Sequence, residues 1–188
     1  LAGKALLSHN PETGEVLWRY EFGNEQGINA SQPLLLPGRD DQIFLGSGYG
    51  RGSALITVSQ QDGEWQVREE WSGPEMKTKF TTAVIDGDYV YGLDNGIFAC
   101  VSLKDGKRVW KRGRYGHGQV LGVGELILVQ AEKGDVVLVD PDPEKLIELG
   151  RLPALTSKTW NTLAYARGKL IVRNDHEAAC YQLPLAAP

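Results

Sequence analysis

Residues 99–110, Ala99-Cys100-Val101-Ser102-Leu103-Lys104-Asp105-Gly106-Lys107-Arg108-Val109-Trp110, decide how this chain must fold. They read as an apolar run, an acidic turn ending in glycine, and a tryptophan four residues later. The same order of parts occurs in Leu6-Leu7-Ser8-His9-Asn10-Pro11-Glu12-Thr13-Gly14-Glu15-Val16-Leu17-Trp18. Hairpin chemistry inside a repeating unit means that one copy cannot bury its own apolar face. Neighbouring copies must stack, as in solenoids and radial arrays.

Working outward, the same punctuation recurs at Asp62-Gly63, Asp86-Gly87, Asp94-Asn95-Gly96, Lys133-Gly134 and Arg167-Gly168. Asp-Gly and Asn-Gly supply the positive φ that tight hairpins require, so the runs between them form an antiparallel meander. Aligning Gly87, Gly124 and Gly168 spaces the units by roughly 37 to 50 residues, the length of a four-stranded propeller blade. Pro33-Leu34-Leu35-Leu36-Pro37-Gly38 opens an earlier copy. The expected fold is an all-β propeller of four-stranded antiparallel blades. Its pieces fall at about 4–20, 30–72, 79–114, 117–152 and 160–183, in a single segment of about four blades. The first piece lacks two inner strands and the last lacks its outer one, which suggests part of a larger ring of seven or eight blades; two chains closing one ring is the rival. Residues 143–149 suit a strand about as well as a helix.

Composition narrows the function classes. Hydrophobic residues make up 41% of the 188 and charged ones 23%, enough for a real core. A net charge of −4 and a pI near 5.4 argue against nucleic acid, whose binding needs clustered Lys and Arg. The one basic cluster, Lys107 to Arg114, alternates at period two and reads as an exposed outer strand. No run approaches the ~18 apolar residues of a membrane helix. Cys100 and Cys180 occupy equivalent places about two blades apart and are expected as small buried hydrophobes without a disulfide.

The sentence ending in Thr-Gly-x-x-x-Trp resembles the tryptophan-docking repeat of the PQQ-like (pyrroloquinoline-quinone-like) β-propeller family, which embraces quinoprotein dehydrogenases and BamB-type outer-membrane assembly lipoproteins. The resemblance implies that Trp18, Trp71 and Trp110 pack over turn glycines such as Gly14 and Gly106, with a turn Asp capping each hairpin. Asn10, Ser102 and Gln182 depart from that Asp, whereas Asp140 retains it. It also implies a periplasmic or otherwise extracytoplasmic setting and a non-catalytic scaffold for a protein, peptide or glycan partner. The alternative it implies is part of a PQQ-dependent alcohol or sugar dehydrogenase using PQQ with calcium. The adjacent cysteines of such enzymes are missing here, so no cofactor is expected.

Inner strands of a propeller begin at one mouth of the central channel, where ligands bind by default. Alignment puts Lys79, His117, Gln119, Trp160 and Asn161 at that mouth. Arg114-Tyr115-Gly116-His117 could hold an anionic or quinone-like ligand; equally, the glycines could serve only to thread the chain. Trp160-Asn161 offers a stacking platform or a blade-packing indole. Residues 173–177 read as a solvated turn, with no second His at metal spacing. Gly46 to Gly52 resembles a phosphate loop but precedes no helix. No catalytic residue and no metal ligand is expected.

Overall fold

The computed structural model of the protein describes residues 1–184. Among the described residues seventeen strands form five consecutive antiparallel sheets, and no helix interrupts them. The first sheet pairs β1 (Ala5–His9) with β2 (Val16–Glu21). The second runs β3 (Leu34–Leu36), β4 (Arg39–Ser47), β5 (Gly52–Gln61) and β6 (Glu64–Gly73) in sequence order. The third follows with β7 (Val84–Asp86), β8 (Tyr89–Asp94), β9 (Ile97–Ser102) and β10 (Arg108–Arg114). The fourth contains β11 (Gln119–Val123), β12 (Leu126–Gln130), β13 (Asp135–Asp140) and β14 (Ile147–Pro153). Three strands make the last: β15 (Ala164–Ala166), β16 (Lys169–Arg173) and β17 (Ala178–Gln182). The basic cluster lies in β10, the outermost strand of its sheet.

Turn chemistry explains the meander. Asp62-Gly63, Asn95-Gly96 and Arg167-Gly168 have positive φ at both positions, the requirement of a two-residue turn whose twist matches the flanking strands. Each sheet hides one face against the next. One apolar cluster joins Leu6 and Phe22 to Leu45 and Ile56, and a second joins Phe44 and Leu55 to Val90 and Val101. A third joins Tyr91 and Phe98 to Ile127 and Val137, and a fourth joins Leu128 and Val136 to Leu170 and Val172. The core is thus four interfaces between five sheets. Innermost strands of adjacent sheets also meet, since a Cβ on Gly122 of β11 would sit 3.1 Å from Val84 of β7. Face-to-face sheets that share an inner edge are blades about an axis, and the fold is a β-propeller.

The outer corners dock through indoles. Trp71 donates from Nε1 to the Leu103 carbonyl at 2.7 Å and lies over Gly106, where a Cβ would approach Trp71 Cε3 at 2.5 Å. Gly106 also has φ +68, so a side chain is disfavoured there twice over. Trp110 donates to the Asp142 carbonyl of the next blade at 3.1 Å. Trp18 differs: it packs on the Leu6–Ile56 cluster and makes no indole hydrogen bond among the described residues, because the opposing hairpin of β5 and β6 is longer. Nothing lies within 4 Å of a Cβ placed on Gly14.

Hairpin capping follows chemistry rather than the family letter. Asn10 Oδ1 accepts from the Glu12 and Thr13 amides, and Ser102 Oγ accepts from Lys104 N at 3.2 Å. In the fourth sheet the cap is Asp142, which accepts from the amides of Glu144 and Lys145, and not the expected Asp140. The cysteines are both free; Cys100 is buried, but Cys180 is exposed. That corrects the expectation for Cys180, whose face of β17 meets no further sheet among the described residues.

Candidate functional site

Strand direction puts two kinds of connection on one end of each of the last four sheets: the loop leading into the innermost strand and the turn between the second and third strands. Backbone hydrogen bonds lace these together from blade to blade. Asn95 N donates to the Lys77 carbonyl, Tyr115 N and Gly116 N to Gly96, Glu132 N to Tyr115, and Thr159 N to Glu132. Because each loop is held on both sides, side chains projecting from it keep fixed positions.

Across this end runs a strip of aromatic and basic groups. Lys79 Nζ lies 3.2 Å from His117 Nε2. Phe80 packs at ring-centroid distances of 5.8 Å from His117 and 5.2 Å from Trp160. Lys158 Nζ sits 4.2 Å from the centre of the Trp160 ring, a cation–π contact. Beneath them Glu132 fixes two members: Oε1 accepts from Trp160 Nε1 at 2.7 Å and Oε2 from the His117 amide at 3.1 Å. These bonds, the indole first, hold the Glu132 carboxyl below its usual range. Gln119, buried at the start of β11, donates to the Trp160 carbonyl at 2.9 Å and so orients the indole instead of facing a ligand.

Lys79 reaches its place through a left-handed backbone with φ 53, unusual for a side chain of this kind. Trp160 is 45% exposed despite its size. A depression of about 490 Å³ beside it is lined by Glu132, Lys133, Thr156, Ser157 and Lys158.

Not every expected site residue joins this strip. Tyr115 is 4% exposed, packed edge-on against Phe98, with its hydroxyl bonded to Glu148. The cause is local. The register of β10 shifts between Arg112 and Arg114, where Gly113 adopts φ +72, and an irregularity of this kind re-aims the side chains that follow. Tyr115 is therefore a core residue. Arg114 is exposed and unpaired among the described residues. The Asn161 side-chain amide faces the Arg173 guanidinium at 3.1 and 3.2 Å. Phe80, Glu132 and Lys158 are the members that sequence reading missed. Only Phe80 carried a signal, as the neighbour of Lys79 in the inter-blade loop.

His117 titrates abnormally. Burial first and the Lys79 ammonium second hold it below its ordinary range, while Glu132 pulls the other way. The neutral ring thus accepts from Lys79. An unfolded chain binds that proton more readily than the folded one, so this residue's stabilising contribution is present above the ordinary imidazole pKa and lost as pH falls through the folded value. We expect Lys79→Gln to raise the His117 titration midpoint, read by NMR of its ring protons, and to flatten the dependence of the melting temperature on pH between about 7 and 5. An unchanged midpoint would show that the two side chains do not interact.

Among the described residues no three His, Cys, Asp or Glu side chains converge as ion ligands, and no helix is long and apolar enough to cross a membrane. Among solved structures, the crystal structure of BamB from Moraxella catarrhalis matches with a TM-score of 0.45 at 14% identity, over 95% of this chain and 63% of that one. The chain therefore spans less than two thirds of that protein's length. No curated protein matches it. A family model described as outer membrane protein assembly factor BamB matches residues 1–112 of the 188. With more than half its length so matched, the chain belongs to this BamB family of PQQ-like β-propellers.

Proposed function

We propose that the protein is a non-catalytic scaffold that docks a protein or peptide on the laced loop end of its blades, in an extracytoplasmic setting. The observation that carries this reading is the strip itself: a large indole left exposed yet held rigid by Glu132 and Gln119, between two lysines. An ordered exposed aromatic loses little freedom on binding, and such residues dominate protein interfaces. The family's description as an outer-membrane assembly factor supports both the scaffold role and the compartment.

Site-specific photocrosslinking tests it. A photoreactive residue at Lys158 of the full-length protein should give discrete protein adducts in cells, and one at Asp88, in a turn at the opposite end of its blade, should give none. Equal labelling from both ends, or none from Lys158, would refute the assignment of this face. Turnover of an alcohol with added PQQ and calcium would replace it with the dehydrogenase reading.

A further inference from the structure

We propose that the strip from Lys79 to Lys158 recognises an extended peptide segment carrying carboxylates beside an aromatic side chain. This deepens the docking reading above and rests on it. Charge decides the occupant. Among the described residues none of the Lys79, Lys133 and Lys158 ammonium groups lies within 4 Å of a carboxylate, although the protein as a whole is acidic. The carboxylates nearby are already engaged by neutral donors. Glu132 holds Trp160 and the His117 amide, and Glu177 accepts from both the amide and the hydroxyl of Thr156 at 2.7 Å. Lys158 acts on Glu132 through space, but three ammonium groups against the Glu132 and Glu177 carboxylates leave a net positive charge for an incoming anion, with the carboxylates serving as struts.

Spacing decides the aromatic part. Phe80 and Trp160 lie between Lys79 and Lys158, with tilted rings 5.2 Å apart. Lys158, whose ammonium lies over the indole, and Glu132, which holds its N–H, both line the adjoining depression with Lys133, so the partly exposed Trp160 ring stands at its edge. A ligand ring seated there gains edge or stacking contacts, and carboxylates on either side reach an ammonium. A peptide fits better than a small aromatic acid because the strip draws on the loops entering three successive blades, through Lys79, His117 and Trp160.

The experiment uses the full chain and a fluorescein-labelled peptide Ser-Asp-Phe-Asp-Phe-Ser, read by polarisation, beside its counterpart with both Asp replaced by Asn. The acidic peptide should bind about tenfold or more tightly than the amide one and weaken as salt is raised. Lys79→Gln and Lys158→Gln should each lose about 3–10-fold, and Trp160→Ala about tenfold, with melting temperatures near that of the parent. Excess sodium benzoate should not displace the peptide. Equal binding of the two peptides, wild-type binding by the Lys79→Gln/Lys158→Gln double variant, or displacement by benzoate would overturn the proposal. If protein adducts still form at Lys158 while the peptides fail to bind, the chemistry assigned here is wrong and the docking face stands.

Discussion

Trp110→Ala should lower stability by about 3–5 kcal/mol, which for a chain of this size is a fall in melting temperature on the order of 10 °C. The indole is only 8% exposed and lies 5.8 Å from Phe98 and 6.1 Å from Tyr91, ring centre to ring centre. Its Nε1 also secures the turn of the next blade through the Asp142 carbonyl. Truncation therefore empties a volume that two rigid sheets cannot close, and it frees the neighbouring turn. Trp110→Phe separates the two effects: it keeps an aromatic ring and removes the hydrogen bond, for a smaller loss of about 1–2 kcal/mol. Trp18→Ala should cost less than Trp110→Ala, because that indole bonds to no facing turn. Urea unfolding of the three variants checks the order, and a Trp110→Ala loss below about 1 kcal/mol would mean that blades are held without their indoles.

Much of this architecture was legible because its signals are stereochemical. A residue pair such as Asn95-Gly96 reports a positive φ directly, and a tryptophan four residues beyond a turn glycine reports a large apolar payload needing a partner. Of the candidate site, blade alignment anticipated the placing of Lys79, His117 and Trp160 at one end of the blades. Tyr115 was grouped with His117 because the two are close in sequence, but the register shifts at Gly113 and the Tyr115 side chain faces the core. Glu132 and Lys158 were missed for a different reason. Exposed charges in turns look alike in sequence whether solvated or converging, and their convergence depends on hydrogen bonds between blades that no local pattern encodes. Asp142 likewise could not be told from Asp140, since either oxygen can cap a turn and the backbone path selects between them.

Asp94 yields the second large effect, and it reaches the site. Its side chain is 0% exposed, with Lys111 Nζ 2.8 Å from Oδ2 and Lys77 Nζ 3.5 Å from Oδ1. The Lys77 amide donates to the same Oδ1 at 3.1 Å. Oδ2 is held by the charge of Lys111 rather than by an aligned hydrogen bond. Asp94→Ala leaves two half-buried ammonium groups without a counter-charge and should cost about 3–5 kcal/mol. The triple change Asp94→Asn, Lys77→Met, Lys111→Met should recover most of that, since it removes all three charges of the triad together and keeps the side-chain oxygen that accepts from the Lys77 amide. The two variants should part company at the site. In Asp94→Ala the loop entering β7 loses its anchor, so the ring resonances of His117, which touches Lys79 and Phe80 from that loop, should move; in the triple variant they should stay near those of the parent. If the single variant melts like the parent, the triad is screened by water and contributes nothing. If it is destabilised while His117 does not respond, the loop that presents Lys79 is held by its backbone bonds alone.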